Sequence, residues 1–342
     1  MNDNKKNPAE LSDNERKELI ERIRITFPQF GRVLDKTAYC HTHSKIAAEP
    51  ECLLITGVQG AGKTTLCRTY ARQHPRSLTR EGRIVPVLST SVPSITTKKS
   101  LPTRLLHALG DSAADKGTAV NQTLRIIKMV KDCGVEMIIL DEFQHFIDSD
   151  SDVVLGNISN WLKDLINETE KPVILVGMPH SELVLAANPQ LERRFSMRES
   201  LEPFGWKTSA NRGEFTAFLR HLDCKLPLPK SSNLAGHELA FRIYCATGGL
   251  IGYVMKLVRR AAILAVERRA EQVDVELLAE AYDERLSSRR PRQANPFRGA
   301  LEELSIRPLS PASHAVKRNN RRSKPKANNQ SADDVLRRKR RK

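Results

Sequence analysis

The sequence predicts an α/β protein, a parallel sheet covered by helices on both faces, followed by a small all-helical lid. Four short apolar runs, at 52–57 (CLLITG), 83–90 (RIVPVLST), 135–141 (VEMIILD) and 171–177 (KPVILVG), suit buried parallel strands. Helical patterns at 63–73, 101–109, 121–132 and 153–168 alternate with them, as βαβ units require. Beyond Phe204 the strand signal stops, and helices are expected over 209–224, 235–249, 250–270 and 274–287.

Upstream of the first run, polar N-cap candidates precede Leu19, Ile20, Ile23 and Phe27 at helical spacing, and a second helix is expected over 30–48. The expected organisation is an N-terminal helical segment (1–48), a nucleotide-binding α/β core (49–204), the lid (205–286) and a tail (287–342). In the tail, Pro, Ser, Asn, Arg and Lys accumulate and periodicity fades, so little order is expected.

Charge separates the tail from the body. The 342 residues carry a net charge of +16, but residues 287–342 hold 17 Lys and Arg against 4 Asp and Glu, leaving 39 against 36 elsewhere. The body is close to neutral. A tail ending LRRKRRK suits binding to polyanions without sequence preference; a solvated run or an assembly tail is the alternative. With 39% hydrophobic and 28% charged residues the chain reads as soluble and globular. No apolar run approaches the roughly 18 residues of a membrane span, and the N-terminus lacks a signal-peptide layout, so a cytoplasmic protein with no membrane partner is expected. The six cysteines form no CxxC pair. Cys40, His41 and His43 lie close in sequence, but no second ligand pair follows at finger-like spacing, and reduced, buried thiols are expected.

The chemistry begins at 57–64. GVQGAGKT fits G-x-x-x-x-G-K-[ST] between a predicted strand and a predicted helix. The backbone amides of Gly57, Val58, Gln59, Gly60, Ala61 and Gly62 would wrap phosphate oxygens at a helix N-terminus, with Thr65 one residue further on. Lys63 would neutralise the β and γ phosphates, and the Thr64 hydroxyl would ligate magnesium, which makes ATP and Mg2+ the expected cofactors. The run MIILDEF ends in Asp141, expected to orient the magnesium, and Glu142, placed to polarise the attacking water as general base. In PQLERRF, Arg193 or Arg194 would stabilise charge on a neighbouring subunit's phosphoryl group, the other serving a structural ion pair.

Together these motifs resemble an AAA+ ATPase, a P-loop fold of three layers with a parallel sheet and helical lid. More narrowly, LDEFQHFID, VILVGMPHSE, NPQLERRF and TGGLIGYVMKLVRRAA resemble the TniB/TnsC family of regulators from transposons with TniQ-type target selection, over about residues 30–285. The resemblance implies a regulatory ATPase that forms a hexameric or heptameric homo-oligomer, ring or filament, on double-stranded DNA; slow turnover is expected because the usual sensor residues, after 171–177 and near Gly252, are missing. It also implies a link between a TniQ-like target selector and the transposase; whether selection is guided by RNA stays open. By the same analogy the turn holding Thr97, Lys98 and Lys99 faces the inner surface, where it would meet DNA phosphates; a solvated turn is the alternative.

Two departures stand out. The strand run at 171–177 ends without a polar sensor residue, His180 or Ser181 being the nearest substitutes, and no arginine lies near Gly252, where Tyr253 or Lys256 could approach the nucleotide. Competing readings are a replication initiator or helicase loader, for which residues 287–342 look too polar to form a winged helix, and a signalling NTPase acting without nucleic acid.

Overall fold

The computed structural model describes residues 11–80, 82–94, 97, 99–147, 152–289 and 294–306. The chain divides into two compact units, 1–312 and 313–342, and every described residue belongs to the first. Helices α1 (Asp13–Arg22) and α2 (Pro28–His43) lead into β1 (Leu53–Gly57) and α3 (Lys63–Gln73). A short hairpin, β2 (Ser77–Thr79) and β3 (Gly82–Ile84), precedes β4 (Val87–Ser91), α4 (Ser100–Leu109), α5 (Ala119–Asp132), β5 (Met137–Asp141) and α6 (Asp152–Thr169). Then come β6 (Val173–Gly177), α7 (Leu183–Ala186), α8 (Pro189–Arg194) and β7 (Met197–Leu201), and finally α9 (Ser209–Lys225), α10 (His237–Thr247), α11 (Ile251–Glu267) and α12 (Val275–Arg285).

Five strands form one sheet in the order β4-β5-β6-β1-β7, every neighbouring pair parallel. β1, β5 and β6 are buried at every position, which is why their sequences are unbroken apolar runs. Two expectations need correction. The run 83–90 is not one strand: Pro86, which has no N–H to give a ladder, separates β3 from β4, and its carbonyl accepts from the Glu136 and Met137 amides at 2.8 and 3.2 Å. A fifth strand, β7, pairs with β1 from Leu53–Met197 to Gly57–Leu201. Its sequence, MRESL, is polar because it lies at the sheet edge, where only Leu201 is buried.

Each face of the sheet has its own core. On one face α4, α5, α6 and α8 cover Leu54, Ile138, Leu140 and Leu175. On the other, Leu53, Ile55, Ile139 and Ile174 join the N-terminal helices and the lid in a single apolar cluster. Phe27, Phe30, Phe204, Phe215 and Phe218 meet at its centre, with ring centroids 5.1–5.9 Å apart.

The N-terminal segment is thus tied to the lid. A Ser12–Glu15 capping box starts α1. The helix packs on α11, where Lys17 lies 3.1 Å from Glu267 and the Arg259 guanidinium donates to the Ile23 carbonyl at 2.7 Å. The packed chain also runs past 287. Arg242 donates to the carbonyls of Pro296 (2.7 Å) and Gly299 (2.9 Å), and Phe297 is buried. The basic segment 307–342 lies outside the described residues. Among the described residues no helix is long and apolar enough to cross a membrane.

Cys40, His41 and His43 point to different partners. Cys40 is buried; His43 stacks on Tyr39 and lies 3.6 Å from Glu51. His41 is buried between the Tyr70 hydroxyl and Glu136 Oε2, each 2.9 Å away, and Lys45 donates to the same Glu136 oxygen. Burial lowers the His41 pKa from its ordinary 6.5, with the Glu136 hydrogen bond opposing and the His74 ring adding to the shift. The unfolded chain therefore binds a proton more readily than the folded one, so His41 contributes stability above pH 6.5 that is lost as pH falls through and below that value. We expect the melting temperature to fall between about pH 7.5 and about pH 5.5, and the fall to be shallower in His41→Gln. Identical slopes in the two proteins would contradict this.

Candidate functional site

The glycine-rich turn leaves the end of β1 and enters α3 at Gly62, whose φ of +99° favours glycine. Lys63 opens the helix. Its ammonium is buried and donates to the carbonyls of Gly57 (2.7 Å) and Val58 (3.1 Å). Burial lowers its pKa, while the charges of Glu142 and Asp141 work the other way. Gln59, Gly60 and Thr65 are exposed, Val58, Gly62 and Thr64 half-buried, and Gly57 and Ala61 buried.

β5 delivers the acids beside this turn. Asp141 is buried and takes hydrogen bonds from the Thr64 hydroxyl and, at 2.8 Å, from the Glu142 amide. Burial raises its pKa in spite of those bonds. A hydroxyl and a buried carboxylate joined in this way are the hard oxygen donors that suit Mg2+, whose charge would offset the desolvation of Asp141. Glu142 follows at φ +57°, a left-handed conformation uncommon for a non-glycine residue and frequent at functional sites. It is half-buried, and the Gln144 side-chain amide donates to its Oε2.

A groove of about 650 Å³ opens from Thr64 and Asp141 along α3, lined also by Arg68, Arg72, Arg76 and Ser91. These arginines escaped the reading of the sequence; Arg68 and Arg72, four residues apart in the expected helix 63–73, share one face, and that spacing is the signal that would have revealed them.

The lid rests directly on the glycine-rich turn. The Gly252 amide donates to the Gly60 carbonyl at 2.9 Å. A Cβ on Gly252 would come within 2.8 Å of that oxygen, so no side chain fits without displacing the lid. Gly252→Ala is expected to weaken nucleotide binding roughly tenfold, the cost of about 1–2 kcal/mol of lost contact, as titration of a fluorescent ATP analogue would report. Unchanged affinity would show that this contact has no part in holding nucleotide. Tyr253, half-buried, and Lys256, exposed, follow in the same helix. At the end of β6, Ser181 is fully buried, with its hydroxyl lacking a partner among the described residues.

The arginines lie at the other end of β1. The Cys52 amide, just before β1, donates to the Arg194 carbonyl at 3.1 Å, whereas the glycine-rich turn begins at Gly57. Five strand residues separate these points by about 16 Å. The two side chains differ. Arg194, 17% exposed, donates to Asn167 Oδ1 at 2.7 Å, while Arg193 is 77% exposed and has Glu49 at 3.5 Å. In the turn after β4, Thr97 and Ser100 exchange hydrogen bonds, and Lys99 caps α4 and donates to the Gly117 carbonyl at 2.9 Å. Thr97 and Lys99 are exposed; Lys98 lies outside the described residues.

With this geometry in place, the chain can be set beside known proteins. The sequence profile described as "Bacterial TniB protein" matches residues 17–207. A search of the curated proteins found no match. Among solved structures, the Aeropyrum pernix ORC1 protein in complex with DNA superposes with a TM-score of 0.57 at 15% identity, covering 78% of this chain and 69% of its own. The Cdc6p protein of Pyrobaculum aerophilum gives 0.57 at 11% identity, covering 78% and 70%. The Drosophila ORC bound to DNA gives 0.52 at 16%, covering 85% and 71%. The fold is that of the AAA+ ORC/Cdc6 proteins.

Proposed function

This chain belongs to the bacterial TniB family, and from that premise we propose that it is an ATP-hydrolysing regulator of DNA transposition. It assembles on duplex DNA and links a target selector of the TniQ kind to the transposase. The observation that carries this reading is the division of the ATPase machinery between opposite ends of β1. Gly57–Thr64, Asp141 and Glu142 lie at one end and Arg193 at the other, about 16 Å away. Such a chain completes its site only by receiving a neighbour's arginine, and a head-to-tail interface of this kind closes into a ring or extends into a helical filament.

In that assembly Lys63 exchanges the carbonyls of Gly57 and Val58 for phosphate oxygens. Thr64 and Asp141 would hold Mg2+, which when bound neutralises charge on the β and γ phosphates. Glu142 takes the proton of the attacking water, and Arg193 of the next subunit meets the charge developing on the γ-phosphoryl group. The products are ADP and phosphate. Thr97, Lys98 and Lys99 would contact DNA phosphates without reading sequence. The DNA-bound state of two structural neighbours supports a DNA partner. The likeness in fold to the ORC and Cdc6 proteins supports a replication initiator as the second reading, while membership of the TniB family supports the first.

The test is electron microscopy with duplex DNA, with and without a non-hydrolysable ATP analogue. Nucleotide-dependent rings or filaments threaded by DNA are expected. Oligomers indifferent to DNA would instead favour a signalling NTPase.

A further inference from the structure

Residues 171–177 end in Val176 and Gly177, and Met178 follows, so the C-terminal end of β6 has no polar side chain of its own to offer the nucleotide site. Its nearest hydroxyl, on Ser181, is turned into the interior against Gly177. The gap between the ends of β5 and β6 is filled from β5's side by Gln144. Its side chain uses both ends of the amide: the nitrogen donates to Glu142 Oε2, and Oε1 accepts from the Met178 amide at 3.2 Å. Only 7% of the residue is exposed.

We propose that Gln144 is the positioning residue for the general base, fixing one oxygen of the Glu142 carboxylate to the end of β6 and leaving the other to receive the water's proton. The assignment rests on the ATPase reading above. Glu142 stands at a strand end in a left-handed conformation; the Gln144 amide is within hydrogen-bond range of its Oε2, whereas His145 Nε2, at 4.0 Å, is beyond it. The Met178 contact is what makes the amide a fixed support, because it sets which way the group faces. A base that must act on a single water profits from such a support much as a metal ligand profits from the group that orients it, and loss of an orienting partner of that kind costs 10- to 100-fold on the order of magnitude.

The assignment makes Gln144 act through Glu142 alone, and a double-mutant cycle tests that. Gln144→Met removes the donor and the acceptor. Gln144→Asn keeps both amide groups but draws them back by one carbon, so it reports on the reach of the support if Gln144→Met folds poorly. Both variants are assayed as full-length protein with duplex DNA and ATP, beside wild type, Glu142→Gln and the Glu142→Gln/Gln144→Met double variant.

The expected result is a fall in kcat of roughly 10- to 100-fold in each single Gln144 variant. KM for ATP and the Kd of a non-hydrolysable analogue should stay within about twofold of wild type, and Gln144→Met should cause no further loss in the Glu142→Gln background. A purely structural role would instead raise Kd and subtract from the residual rate in both backgrounds. Wild-type kcat in both single variants, or an equal loss in the two backgrounds, would overturn the assignment. Absence of any hydrolysis by the wild-type protein would overturn the ATPase reading itself, and the assignment with it.

Discussion

Lys63→Ala weakens binding of a non-hydrolysable ATP analogue by roughly 100-fold or more, about 3 kcal/mol, with little cost to the stability of the free protein. The two halves of that expectation share one cause. Without nucleotide the ammonium is buried and held by two backbone carbonyls, and burial already weighs against its charge. Alanine removes that unfavourable charge together with its hydrogen bonds, so the free protein changes little. Bound phosphates would give the same ammonium formal negative charge within a desolvated turn, and alanine forfeits all of it. Thermal melting reads both halves at once. The melting temperature without nucleotide stays near that of the wild type, while the rise produced by a fixed analogue concentration, about 100 times the wild-type Kd, shrinks to a small fraction. A variant that keeps the full rise would remove Lys63 from the site.

In the proposed DNA-bound assembly, Arg193→Ala is expected to lower hydrolysis by roughly a thousandfold and to leave analogue binding intact, whereas Arg194→Ala should have its main effect on stability, about 1 kcal/mol. The difference follows from what each guanidinium touches. Arg194 is anchored to Asn167 within its own chain; Arg193 shares only the exposed Glu49, and exposed pairs of this sort hold weakly. Mixing provides the sharper measurement. Arg193→Ala subunits keep an intact phosphate-binding turn, and Lys63→Ala subunits keep an intact arginine. Each preparation alone is inactive, and a mixture recovers activity wherever the two sound halves meet. A mixture that stays inactive, with Arg193→Ala itself active, would show that the arginine does not act across the interface.

What the sequence disclosed and what it withheld divide along physical lines. Gly57–Thr64 and Asp141–Glu142 stood out as candidates because phosphate and magnesium chemistry demands fixed residue types at fixed spacing, and the strands beside them were legible because full burial made them apolar. β7 was not legible, since an edge strand answers to solvent and MRESL carries no alternation to mark it. Pro86 hid inside an apolar run whose composition alone favoured one strand. The different surroundings of Arg193 and Arg194 could not be read from neighbouring residues of identical chemistry, because they depend on Asn167, brought alongside by α6. Gln144 was in view, two residues from Glu142, but its second contact, at Met178, exists only once β6 lies beside β5.

The aromatic cluster around Phe27 bears on how this protein comes apart. N-terminal helices, sheet and lid contribute side chains to one apolar core, so none of the three retains a complete interior when another is lost. Deleting the lid strips a face of the sheet, and deleting α1 and α2 bares both. Their free energies of unfolding are therefore not separable, and heat should melt N-terminal helices, sheet and lid as one cooperative unit, not as a core with a detachable cap.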